Sequence, residues 1–178
     1  MNTNNKQKLS LEQLLRNLKD EDANHATVIK RFQYIYVVFF IFYAIITTLV
    51  YVFERDLRML LSGVSFMSSF IILAVLFRKY YKEYRFVDYS LPTLLLLKRA
   101  ASRYQLFQTK ALWLLVAFGF MDVALTLNMQ PRVSPWIVQI IILATLLVAL
   151  VIGIIRWWYK YKPLLDNTRR LISEIETD

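Results

Sequence analysis

Apolar residues are gathered into four blocks separated by charged stretches. Residues 33–53, "QYIYVVFFIFYAIITTLVYVF", carry no charge, nor do residues 59–77 or 136–155, and residues 111–128 carry only Asp122. A bilayer core of about 30 Å needs about 20 helical residues rising 1.5 Å each, so every block is long enough to span it. The first block follows a polar stretch and lacks a small-residue cleavage site beyond it, so it reads as a retained span and not as a signal peptide. The pattern predicts an all-α integral membrane four-helix bundle. It divides into transmembrane hairpins at 33–77 and 111–155 and flanking segments at 1–32, 78–110 and 156–178.

Outside the blocks the apolar period becomes helical. In residues 10–24, Leu11, Leu14, Leu15 and Leu18 share one face, and Ser10 with Gln13 three positions on predicts a capping-box start. Pro163 is expected to break the chain after the fourth block, and Leu164, Leu165, Thr168, Leu171, Ile172 and Ile175 then form a second stripe. In the central segment Pro92 suits a first helical turn, with Ser90 as its cap. Leu94, Leu97, Ala101, Tyr104, Gln108 and Ala111 follow at intervals of three and four. Unbroken, residues 92–128 would make one helix of about 55 Å with a stalk of roughly 25 Å outside the hydrocarbon. Alternatively "LLLL" lies along the interface and the chain bends near Thr109. These amphipathic helices need a surface: one another, lipid, or a docked partner helix.

Charge orients the hairpins. Of 22 basic residues, 19 fall in the three flanking segments, and only Arg55, Arg58 and Arg132 lie in the connections "ERDLR" and "MQPRVSP". The positive-inside rule then places both termini and the central segment in the cytoplasm. Pro131 and Pro135 mark the second turn. Arg78, Lys79, Lys82, Arg85, Arg156, Lys160 and Lys162, with Lys98, Arg99 and Arg103, are placed to meet anionic lipid headgroups at about 1 kcal/mol each. The formal charge of +9 does not indicate nucleic acid, because these residues follow the inside rule. "RKYYK" at 78–82 and "RWWYK" at 156–160, followed by Asp88 and Asp166 at equal offsets, outline a weak hairpin repeat. Aromatic and basic anchors at membrane exits produce the same pattern.

Asp122 is the one residue whose chemistry stands out. A carboxylate inside a span costs roughly 2.5–3.5 kcal/mol on insertion scales and calls for a partner or a function. Gly119 and Thr126 share its helical face. Thr47 and Ser65 fall at a similar depth, six residues or about 9 Å from the outer end of their blocks, and Arg58 at that end is within snorkelling reach. Asp122, Thr126, Thr47, Ser65 and Arg58 are therefore the candidate intramembrane cluster, either holding helices in register or responding to protons or cations. Ser62, Ser65 and Ser69, and Thr145, Ala149 and Gly153, read as close-packing seams, and Met67 and Met121 as filler. His25 stands alone in a polar junction. With no cysteine, phosphate loop, nucleophile elbow or HExxH motif, the sequence points to no enzyme, cofactor or metal.

The segment "VDYSLPTLLLLKRAASRY" before a span, with four spans and amphipathic ends, resembles small inner-membrane proteins of Bacteroidota that often lie beside extracytoplasmic-function sigma factors. The resemblance implies a regulatory protein of the bacterial inner membrane and transfers no catalytic residue. The expected partners are membrane lipid, with a cytoplasmic protein and a second copy of the chain left open. The leading expectation is a non-enzymatic interaction or regulatory module; the alternative is a small oligomeric transporter or ion-responsive bundle centred on Asp122.

Overall fold

The computed structural model describes residues 3–105, 108–128 and 134–177, and among these all regular structure is helical. The helices are α1 (Thr3–Glu54), α2 (Leu57–Arg85), α3 (Thr93–Arg103), α4 (Leu112–Leu127), α5 (Pro135–Arg156) and α6 (Lys162–Thr177). A 3₁₀ turn, Thr109–Ala111, precedes α4, and a π turn, Trp157–Tyr161, joins α5 to α6. Four of the resulting rods are long and apolar enough to cross a membrane.

The expected start at Ser10 is absent: α1 begins at Thr3 and runs 52 residues, or about 78 Å, through the polar stretch and the first apolar block alike. No residue between Asn24 and Gln33 is a strong helix breaker, so nothing separates the two segments. The turn at 55–56 is tight. Arg55 takes a left-handed φ of 49°, and the Asp56 carboxylate accepts from the backbone N–H of Arg58 as the N-cap of α2. At the other turn, Ser134 is the extended N-cap and Pro135 opens α5; Pro131 and Arg132 lie outside the described residues.

Helix α1 packs along α2, and α2 along α4. Aromatic rings fill the first contact: Tyr43 lies 4.8 Å from Phe66 and 5.3 Å from Phe70, and Tyr36 lies 5.3 Å from Phe77. Gly63 permits that approach, since a Cβ there would sit 2.0 Å from Thr47 Oγ1. Toward α4, Ser62 Oγ donates to the Ala124 carbonyl at 2.8 Å, and Ala117 and Ala124 are fully buried. The serine seam is thus a packing seam, although Ser65 is only half-buried. Met121 packs on the Phe66 and Phe70 cluster.

The second hairpin differs from the first. Helices α4 and α5 meet over only a few residues, and Thr145, Ala149 and Gly153 are exposed, as is Gly119. The small-residue seam expected on α5 therefore packs on nothing among the described residues. Nor do the two sequence repeats adopt one conformation. Residues 78–82 are ordinary α-helix within α2, whereas 157–161 form the π turn. Asp88 accepts from the Ser90 N–H and hydroxyl in a loop, whereas Asp166 lies in α6. Ser90 accordingly closes an Asx turn and does not cap α3, which has the Pro92 carbonyl at its start.

Away from the apolar blocks, the first part of α1, the end of α2, α3 and α6 form a separate core, called here the headpiece. Leu14, Leu18, Leu97, Ala100, Tyr104 and Leu171 are buried together, with Leu11, Leu15, Leu164 and Ile172 packed around them. The Leu stripes thus lie on one another. Pro163 does not break the chain. The Lys162 N–H bonds back to the Trp157 carbonyl, one residue beyond the α-helical partner, and this wider turn carries the helix past a residue with no N–H to give.

Substituting Gly63 by Ala should destabilise the protein by about 1–3 kcal/mol, because the new methyl would lie 2.7 Å from Thr47 Cβ itself, a clash that rotation about χ1 does not relieve. Thermal unfolding in detergent reads this directly. Adding Thr47→Gly should restore most of the loss, and an unchanged midpoint for Gly63→Ala alone would refute the close approach.

Candidate functional site

The Leu stripe of α1 continues beyond Leu18 to Asp22, His25 and Ala26 at steps of three and four, so a carboxylate and the sole histidine enter the headpiece core. Asp22 is 1% exposed. A carboxylate so buried needs donors that replace its water. Three do. Tyr104 donates its hydroxyl to Oδ1 at 2.7 Å, Tyr89 donates to Oδ2 at 2.8 Å, and Arg103 Nη2 reaches Oδ2 at 3.0 Å. Arg103 is itself 8% exposed, so this ion pair is buried on both sides. Burial and the Asp22 charge push the Tyr89 and Tyr104 hydroxyls well above their ordinary range, which keeps both as neutral donors.

This cluster explains why residues 92–128 are not one helix. Tyr104 caps α3, and its side chain is held on Asp22. The carbonyls that the next helical turn would have used find other donors. The Tyr84 hydroxyl and the Gln108 amide donate to the Arg103 carbonyl, and the Trp157 indole donates to the Tyr104 carbonyl at 2.9 Å. The chain is extended at Gln108, and helix resumes after the 3₁₀ turn at 109–111, near the expected bend at Thr109. The apolar face of α3 also differs from the expected one: Leu96, Leu97, Ala100, Arg103 and Tyr104 are buried, and Leu94 and Ala101 are only half-buried. Arg103 is therefore a core residue and not part of a basic rim.

His25 lies among aromatic rings, 5.1 Å from Tyr84, 5.0 Å from Tyr161 and 6.3 Å from Tyr104. Eight residues before the first apolar block, it has its basicity lowered by burial, opposed by Glu21 and Asp22 and reinforced by Lys160 and Arg156. It is no lone residue in a polar junction. Glu21 pairs with Lys160 at 3.1 Å, fixing the π turn to α1, and Lys98 pairs with Glu176 at 2.6 Å, fixing α3 to α6. Between these elements is a cleft of about 140 Å³ walled by His25, Tyr84, Arg103, Tyr104 and Tyr161 and edged by Gln105 and Trp157. Among the described residues no group of His, Cys, Asp or Glu is placed to hold a metal.

The candidates chosen from the sequence separate into three places. Asp122 takes its partner from α5: Gln139 Nε2 donates to Asp122 Oδ1 at 2.9 Å and lies 3.3 Å from Thr126 Oγ1. Gln139, an uncharged amide inside an apolar block, is the partner that the search for charges and hydroxyls missed. Thr47 is buried against Gly63, Ser65 is half-buried on α2, and Arg58 is exposed at the first turn, where its backbone meets Asp56. The expected five-residue cluster is thus an Asp122–Gln139–Thr126 contact with Thr47, Ser65 and Arg58 elsewhere. Of the basic rim, Arg78, Lys79, Lys82, Arg85 and Arg156 are exposed; Lys160 is paired, and Lys162 Nζ lies 3.6 Å from the Trp158 ring centre.

No protein-family model, curated protein or solved structure matches this chain.

Removing one partner of the headpiece ion pair strands a buried charge, so Asp22→Leu or Arg103→Leu alone should cost about 3–5 kcal/mol. The double substitution should cost less than the sum, by urea or thermal unfolding; additive losses would show that the pair is not coupled. For the second contact, Asp122→Asn should leave the α4–α5 approach intact, whereas Asp122→Leu and Gln139→Leu should show a coupling of about 0.6 kcal/mol in a double-mutant cycle. A coupling of zero would mean that the amide and carboxylate are neighbours without a shared bond.

Proposed function

We propose that the chain is a four-span membrane protein with its headpiece and both termini in the cytoplasm, acting as a non-enzymatic regulatory or interaction module. The single observation that carries this reading is the continuity of the long helices. Helix α1, and α5 through the π turn into α6, run without interruption from the apolar blocks into the headpiece, where Asp22–Arg103 and Glu21–Lys160 join their ends. Large exposed side chains, among them Phe42, Ile45, Ile140, Leu143 and Leu147, line the apolar blocks, which suits lipid contact. The excess of basic residues at the headpiece end supports the orientation.

The amphipathic helices in this reading have their apolar faces occupied by one another, so partners meet the outward polar faces. Glu12, Arg16 and Lys19 of α1 and Arg169 and Arg170 of α6 are exposed there. A change in the tilt of the spans then reaches the headpiece through rigid rods, and a partner on the headpiece acts on the spans in return. The resemblance noted from "VDYSLPTLLLLKRAASRY" points the same way. The transporter alternative has less support, since Asp122 is hydrogen-bonded to Gln139 and, among the described residues, no second ionisable residue joins that contact.

Single cysteines serve as reporters in a chain that has none. At Ser173 a cysteine should be protected from a membrane-impermeant maleimide in intact cells, and at Asp56 it should be labelled; the reverse pattern overturns the orientation. Purified protein in liposomes should show no Asp122-dependent ion or proton flux. A flux lost in Asp122→Asn would replace the regulatory reading with the transport one.

A further inference from the structure

We propose that the cleft between the end of α3 and the π turn binds an oxyanion of the phosphate type, carried either by an anionic phospholipid headgroup or by a free phosphate. Two polar atoms of residues that wall it, both closed off from water, lack hydrogen-bond partners among the described residues. Arg103 gives Nη2 to Asp22 but leaves Nε unpartnered, and the Tyr161 hydroxyl is likewise unpartnered. Each such group costs about 1–3 kcal/mol while unsatisfied, and an acceptor-rich ligand recovers that loss. An oxyanion has acceptors on every side and suits a wall supplied by guanidinium, phenol and amide donors.

Local charge favours the same class. Asp22 is matched by Arg103 and Glu21 by Lys160, whereas Arg156, close enough to act on His25, has no ion-pair partner among the described residues. The surrounding rings of Tyr84, Tyr104 and Tyr161 would otherwise suit a quaternary ammonium, but no carboxylate stands among the described residues of the wall to receive a cation. A neighbouring cleft of about 220 Å³ is lined by Glu83 and Asp88 as well as Arg99 and Arg103, and its carboxylates oppose an anion; the wall of the first cleft has none among its described residues. The π turn adds an independent indication. Such turns are rare and recur at functional sites, and here both of its end residues, Trp157 and Tyr161, meet Tyr104. Trp157 follows the fourth apolar block by two residues, so the cleft opens at the level of lipid headgroups. The site stands independently of the headpiece's protein partner.

The test uses the full chain in detergent, followed by thermal unfolding. Sodium phosphate, against sodium chloride of equal ionic strength, should raise the midpoint by about 4 °C or more if the ligand is a free anion. Phosphatidylglycerol added to the micelles should do so, and phosphatidylcholine should not, if it is a lipid headgroup. Gln105 is exposed at the rim, so Gln105→Glu should leave the fold intact while weakening either response at least tenfold in ligand concentration. Tyr161→Phe removes the unpartnered hydroxyl and should raise the ligand-free midpoint while reducing the response. No stabilisation by either probe, or an undiminished response in Gln105→Glu, overturns the proposal.

Discussion

A carboxylate that is 1% exposed must be given donors in place of water, and most of the headpiece follows from how Asp22 obtains them. Its three donors come from the loop after α2 and from two consecutive residues at the end of α3. Placing Arg103 and Tyr104 there stops α3, and the carbonyls left open by that stop are met by Tyr84 and Trp157 from two other helices. One buried charge thereby sets where α3 ends, where the chain bends toward α4, and how α5 approaches the headpiece.

The two ends of the molecule are held by different forces. In the headpiece, Leu14, Leu18, Leu97 and Leu171 leave water together, and the hydrophobic effect drives their contact. Among the apolar helices, taken as the spans proposed above, that drive would be absent, because in lipid a leucine gains little by exchanging a lipid tail for another leucine. What remains is close approach and directional contact: Gly63 against Thr47, Ser62 on the Ala124 carbonyl, rings on rings between α1 and α2, and Gln139 on Asp122. Among the described residues, helix α5 has the last of these alone within the bundle, which is why it lies at the margin while its headpiece end is fixed through Trp157 and Lys160.

The π turn reconciles two demands on that headpiece end. Proline at position 163 cannot donate to a helical carbonyl, and α6 must still continue from α5 to cover the Leu stripe of α3. A turn wider by one residue meets both, and it leaves Trp157 and Tyr161 against Tyr104. Stiff connections of this kind make the headpiece and the proposed spans one mechanical unit.

The sequence by itself determined the number and extent of the apolar rods and the stripes of α1 and α6, because these depend on periodicity and on the length of uncharged runs. Even Asp22 and His25 were legible in principle, since they extend the Leu11–Leu18 stripe by helical steps; their charge and polarity concealed them from a reading that looked for apolar positions. Tertiary structure alone decided that α1 does not pause at Ser10, that α3 stops at Arg103, that Pro163 is carried by a π turn, and that Asp122 meets Gln139 in place of Arg58. In each case a partner distant in sequence, or the geometry of a neighbouring helix, supplies the deciding hydrogen bond or space, and local pattern holds no record of either.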